Sequence, residues 1–249
     1  FLQPDSRFFR FMRTLERRID RACPYILTSS HNAAALLAQE FDCGDGRVTV
    51  VPDGVNTAVF APAPRDAAWA QRKAAWGIPA ERLVVVYLGL LAEYQGTGHL
   101  LEAARLLCER RHDLHFLVAG YPHVEVYQRQ AEALGLKDFV TFTGQVPYEE
   151  AASLLALGDI AVSPKLSRTE GAGKLLNYMA MGLPTVAFDM PVSREYLGDW
   201  GVYAAFADVA DLARCLGALA DDAPRRRFLG QALRQRAASQ YAWESRGET

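Results

Sequence analysis

Residues 83–88, LVVVYL, form an unbroken apolar and largely β-branched run. That is the pattern of a strand buried on both faces, which needs helical layers above and below it. The following sequence supplies them in alternation. Helical spacing covers Leu100–Cys108, Val124–Leu134, Tyr148–Ala156, Gly173–Met181 and Val209–Leu219. Between these lie short strand-like runs at Leu114–Ala119, Val140–Phe142, Ile160–Val162 and Thr185–Phe188. Strands alternating with helices predict βαβ units, hence an α/β fold with a parallel sheet and right-handed crossovers.

The first 60 or so residues differ. A helix is predicted over Ser6–Arg21, then a strand at Tyr25–Thr28. Ser29 or Ser30 caps a helix through Glu40, and a strand follows at Val48–Val51. Pro52, Asp53 and Gly54 mark a turn, and Asn56–Pro64 has the composition of a linker. A domain boundary is therefore expected there, with residues 1–55 belonging to one α/β domain and residues 56–249 to another. The chain starts at Phe1 and stops in a polar segment, so a piece of a larger protein is expected. In the first helix Phe8, Phe11, Met12, Leu15 and Ile19 fall near one face, ringed by Arg7, Arg10, Arg13, Arg17, Arg18 and Arg21. Such a helix suits an anionic membrane surface, and equally a core-packed helix with a solvated face.

Several chemistries are excluded. A net charge of −2 opposes a nucleic-acid partner held through phosphates. The four cysteines are scattered without a CxxC pair, which fits reduced thiols in a cytoplasmic protein and opposes a metal site. The five histidines show no ligand spacing such as HExxH. GxSxG, GxxxxGK[ST] and GxGxxG are all missing, so hydrolase, P-loop and dinucleotide readings have no support. No run approaches the length of a membrane span.

In open α/β sheets ligands bind beyond the carboxyl ends of the strands. Four strand-to-helix junctions qualify: Gly89–Gly96, Gly120–Pro122, Gly144–Pro147, and the stretch after Ile160–Val162. The first three are also what tight turns require. The last carries Glu170, Gly171, Ala172 and Gly173 directly before a helix, closed by Gly182 and Pro184. A glycine loop opening a helix is an anion site, because backbone N–H groups and the dipole point outward. Glu170 suits sugar hydroxyls, or is a solvated loop carboxylate. Lys174 suits a phosphate, although a cation in a first turn opposes the dipole. Asn177, one turn on, suits a ribose, or is a polar helix flank.

Taken in order, these segments resemble the retaining family-4 glycosyltransferases, whose GT-B fold pairs two Rossmann-like domains. The segments are ILTSSHNAAALL, VTVVPDGVNTAVFAP, VVVYLGLLAEYQGTGHLLEAARLL, FLVAGYP, FVTFTGQVPYEEAASLLALGDIAVSP and EGAGKLLNYMAMGLPTVAF. The resemblance covers residues 23 to 220 or so. It implies a nucleotide-diphosphate sugar as donor, a glycan or lipid-linked acceptor, retention of configuration and no metal or other cofactor. It also implies a cytoplasmic protein, working at the inner face of a membrane if the basic helix contacts lipid. Residues 56–249 would be the Rossmann-like donor domain, and residues 1–55 the end of the acceptor domain. On its own this chain is then expected to bind donor weakly and transfer poorly.

By the same resemblance, Glu170 is the catalytic-site carboxylate. Gly89, Leu90, Gln95, Gly171, Ala172, Gly173 and Lys174 surround the sugar and diphosphate, with the Leu175 and Leu176 amides extending the cradle. Asn177 faces the ribose and Val146 the base. Two departures stand out. Asn177 replaces the family's second glutamate, and Leu90 and Gln95 replace its Arg and Lys. Lys174, with Lys165 or Arg168, is expected to supply part of the missing charge. The same departures fit a non-catalytic binding subunit on the same fold, and a GT-B sugar-nucleotide epimerase is a third reading.

Overall fold

A computed structural model describes residues 6–44, 46–168 and 171–243. They divide into two compact units. One runs to Asp53 and includes Gly171; the other holds Gly54–Arg168 and the chain from Ala172 on.

The first unit has helix α1 (Arg7–Ala22), strand β1 (Ile26–Thr28), helix α2 (His31–Phe41) and strand β2 (Val48–Val50). Ser6 and Ser30 cap the two helices, each accepting a backbone N–H three residues on. The two strands pair in parallel. Arginines of α1 face α2: Arg13 bonds Glu40, Arg21 bonds Asp42, and Arg17 Nε donates to the Glu40 carbonyl at 3.0 Å. No residue of α1 is buried, and Phe8, Phe11, Met12, Leu15 and Ile19 are exposed. Within the described residues α1 is therefore not the core-packed helix that its pattern allows.

The second unit is a six-stranded parallel sheet between helical layers. Its elements are α3 (Ala67–Ala75), β3 (Leu83–Leu88), α4 (Thr97–Cys108), β4 (Leu114–Ala119), α5 (Val124–Ala133), β5 (Val140–Gly144), α6 (Tyr148–Leu155), β6 (Ile160–Ser163), α7 (Gly173–Ala180), β7 (Thr185–Phe188), α8 (Pro191–Leu197), β8 (Val202–Ala204), α9 (Val209–Asp221) and α10 (Ala223–Gln240). The strand order is β5-β4-β3-β6-β7-β8. Counted within this sheet it is 3-2-1-4-5-6, the doubly wound arrangement, whose direction of winding reverses between β3 and β6. Val84–Tyr87 and all of β4 and β6 are buried, as expected where helices cover both faces.

The segment after Val55 is anchored to its own unit. Phe60 is fully buried, and Arg234 of α10 donates to the carbonyls of Thr57, Phe60 and Ala180 at 2.9, 2.7 and 2.6 Å. Val55 is bridged to Ala242 just past α10. Helices α3 and α8 and strand β8 were not expected from the sequence, and α4 starts at Thr97, before its apolar spacing begins.

Candidate functional site

The reversal between β3 and β6 opens a crevice, and the strand pairing shows where. β3 and β4 pair along their whole length, to Leu88 opposite Ala119. β3 and β6 pair only at Val85–Ile160 and Val86–Ala161. Past that point the strands part. The Leu88 amide, left without a ladder partner, donates to the Tyr178 hydroxyl of α7 at 2.8 Å. Burial holds the Tyr178 phenol far above its ordinary pKa, so it stays neutral beneath the crevice.

Two glycines let backbone meet backbone at the rim. A Cβ on Gly96 would lie 1.7 Å from the Pro164 carbonyl oxygen, and one on Gly120 would lie 1.8 Å from that of Gly89. Gly96 also has φ +74°, where a side chain is strained. The loops after β3 and β6 are tied further: the Tyr94 carbonyl accepts the Leu166 and Ser167 amides at 2.8 and 3.2 Å. The Leu91 amide donates to the Tyr121 carbonyl at 2.9 Å, tying the β3 and β4 loops. The rim is thus cross-linked by backbone.

Helices α4 and α7 both start at this rim. Of the other helices, α1, α2, α3, α9 and α10 are capped by Ser or Asp side chains, whereas α5, α6 and α8 have no side-chain cap. α4 follows Gly96 and α7 follows Ala172, neither able to cap, and neither helix has an acid in its first turn. Their outward N–H groups and dipole ends are suited to an anionic ligand. The Gly173 amide has no partner among the described residues. The Leu175 amide, expected in the phosphate cradle, instead donates to the Ala172 carbonyl at 2.8 Å, because the first turn of α7 is tightened. Leu175 and Leu176 are buried core residues, and Leu176 lies inside the helix.

Lys174 brings a cation to the same place. Its Nζ donates to Gln95 Oε1 at 2.8 Å and to the Tyr87 hydroxyl at 3.2 Å, and stands 4.3 Å above the Tyr87 ring centroid. It lies close against Gly89, where a Cβ would come within 2.6 Å of it. Gln95 is buried, on a short 3-10 turn just before α4. Tyr87 is a neutral phenol whose pKa burial raises further, and it donates to the Leu90 carbonyl at 2.7 Å. Leu90 presents an exposed apolar side chain at the end of β3. Asn177, three residues after Lys174 and on the same helix face, is half-buried and makes no side-chain hydrogen bond to the described residues. The structure therefore gathers Gly89, Leu90, Gln95, Gly173, Lys174 and Asn177.

Other expected residues fall elsewhere. Glu170 lies outside the described residues, and Gly171, half-buried, groups with the first unit. Val146 follows β5, two strands from β3, or about 10 Å along the sheet edge. It lines a small cavity of about 130 Å³ with Trp76, Gln145 and Glu150. Of the helpers expected for Lys174, Lys165 is buried and the Arg168 guanidinium stands over the Phe206 ring at 5.1 Å. A larger cavity of about 400 Å³ lies at the opposite, amino ends of β6 and β7, beside Asp159 and Pro184. Two of its arginines are already engaged: Arg65 with Asp159 at 2.5 Å, Arg226 with the Leu219 and Ala220 carbonyls. No group of three or more potential metal ligands occurs among the described residues.

The parallel six-stranded sheet flanked by helices is the fold of the GT-B glycosyltransferase structures it matches. Residues 69–236 match the family described as glycosyl transferases group 1, and the chain belongs to it. It is 31% identical to the MMP alpha-(1->4)-mannosyltransferase of Mycolicibacterium hassiacum over 96% of this chain and 55% of that protein. It is also 31% identical to the GDP-mannose-dependent alpha-(1-6)-phosphatidylinositol monomannoside mannosyltransferase of Mycolicibacterium smegmatis, over 94% of this chain and 63% of that protein. The chain thus spans little more than half the length of these relatives. The fold matches that of Anabaena HepE, solved with UDP-glucose, at TM-score 0.83 and 16% identity over 96% of this chain and 66% of that one.

Proposed function

We propose that this chain carries the donor site of a glycosyltransferase, and that the crevice between β3 and β6 holds the diphosphate of a nucleotide sugar. The observation that carries the proposal is the convergence of two uncapped helix starts and the Lys174 ammonium on one rim. The family relation and the donors named for relatives, GDP-mannose and UDP-glucose, support it.

In the proposed reaction an acceptor hydroxyl attacks the anomeric carbon from the face on which the diphosphate departs. The bond from that carbon to the diphosphate oxygen breaks. The hydroxyl proton passes to the departing diphosphate, and configuration is retained. Charge grows on the leaving oxygen, where the α7 start and Lys174 stabilise it, a large catalytic term when the donors are preset. Asn177 faces the ribose, Val146 lies toward the base, and Glu170 meets the sugar. No metal is required in this scheme. The acceptor, a glycan or lipid-linked sugar, belongs to the other half of the protein.

The test is incubation of the full-length protein with GDP-mannose, UDP-glucose and related donors plus candidate acceptors. Release of nucleoside diphosphate with an α-linked product from an α-linked donor is expected. Donor binding without any release would instead establish a binding subunit, the reading favoured by Leu90, Gln95 and Asn177. No binding of any donor would refute both.

A further inference from the structure

We infer that Tyr87 and Gln95 are positioning residues that preset the Lys174 ammonium, so that the cation facing a bound diphosphate comes from helix α7 and can be exchanged with position 95. This rests on the donor site proposed above.

A lysine ammonium sits on a flexible four-carbon stem, and ordering it costs side-chain entropy. Lys174 is also in the first turn of α7, where the dipole opposes a cation. Its position therefore needs support, and three contacts give it. Gln95 Oε1 accepts at 2.8 Å, the Tyr87 hydroxyl accepts at 3.2 Å, and the Tyr87 ring lies 4.3 Å beneath. The hydroxyl proton of Tyr87 is committed to the Leu90 carbonyl at 2.7 Å, which leaves its lone pair toward Lys174. These contacts come from neutral groups, which orient the ammonium. Gly89 completes the fit, since any side chain there would occupy the same space.

Gln95 itself is held by the turn that precedes α4, on a rim tied to the β6 loop. The 2.8 Å contact means that the two side-chain ends share one small volume. An ammonium presented from position 95 would occupy nearly the place it now occupies from position 174. The pair thus behaves as one donor and one acceptor whose order along the chain is immaterial to a phosphate above them.

The experiment is calorimetric binding to the full-length protein of GDP and UDP, set against guanosine and uridine, with thermal unfolding of each variant. Lys174→Gln should weaken binding of the preferred diphosphate about ten- to a hundredfold, the loss of one charged hydrogen bond, and leave nucleoside binding unchanged. Adding Gln95→Lys to it should recover most of that loss. Tyr87→Phe, which keeps the ring, should weaken only the diphosphate, by about threefold. Should Lys174→Gln fail to fold, Lys174→Met, which keeps the stem, takes its place. Equal losses for nucleoside and diphosphate, or a double variant no better than the single one, would overturn the inference. A wild-type protein that binds neither GDP nor UDP would overturn the donor reading itself. Wild-type binding that Lys174→Gln leaves intact would overturn this inference alone.

Discussion

Replacing Gly96 by alanine tests the cross-linked rim directly. The new Cβ would stand 1.7 Å from the Pro164 oxygen, whereas ordinary contact begins at 3.4 Å. One loop must retreat by the difference, 3.4 − 1.7 = 1.7 Å. Retreat stretches the Leu166 and Ser167 bonds to the Tyr94 carbonyl, each worth about 1 kcal/mol. The φ of +74° adds a further cost of about 1 kcal/mol for a residue with a Cβ. The sum is a destabilisation of about 3 kcal/mol. A misplacement of this size should also lower turnover about a hundredfold. Gly135 is the control: its φ is +73°, but a Cβ there meets nothing within 4 Å. Gly135→Ala should cost about 1 kcal/mol from the backbone alone and leave turnover unchanged. Denaturant unfolding and donor turnover of both variants in the full-length protein decide the matter. Equal destabilisation of the two, with unimpaired turnover in Gly96→Ala, would refute the reasoning.

Three other outcomes are expected. Burial, with help from Arg82 and Lys73, lowers the His115 pKa to about 4, so the folded state excludes a proton that the unfolded chain binds below pH 6.5. Its contribution is therefore intact above pH 6.5 and lost as pH falls toward 4, by up to about 3 kcal/mol; unfolding curves of His115→Gln should show a shallower acid slope than the wild type, and parallel slopes would contradict this. Arg234→Ala strips three carbonyls of their donor and should lower unfolding free energy by about 2–4 kcal/mol, with Arg234→Lys recovering only part; a change within about 0.5 kcal/mol would count against the anchoring of residues 57–60 by α10. Turnover of the full-length protein should survive EDTA, because Lys174 and the helix starts supply the charge that a divalent cation would otherwise bring; loss of activity restored by Mg²⁺ or Mn²⁺ would contradict the metal-free scheme.

Much of the sheet was legible because its strands carry their own signal. β3 and β4 are continuous apolar runs long enough to announce double burial. β8, by contrast, has three residues and owes its conformation to pairing with β7. α8 has seven residues and starts at Pro191, too short for periodicity to show. The α7 loop was legible from glycines placed before a helix. Its partners were not, since Lys174 lies 79 residues from Gln95 and 87 from Tyr87. One local clue existed: a tyrosine near the carboxyl end of an otherwise aliphatic buried strand must find a partner for its hydroxyl. The outward apolar face of α1 was visible as a pattern, but the pattern does not say which face turns toward α2. Arg13, Arg17 and Arg21 settle that through Glu40 and Asp42.

The central claim is the place of the diphosphate. Hydrogen exchange of the full-length protein with and without GDP or UDP measures it most directly. The account predicts slowed exchange in residues 89–97 and 172–177, around the β3 and β6 loops and the starts of α4 and α7. Slowed exchange around residues 223–227, at the opposite end of the sheet, with the crevice unchanged, would contradict it.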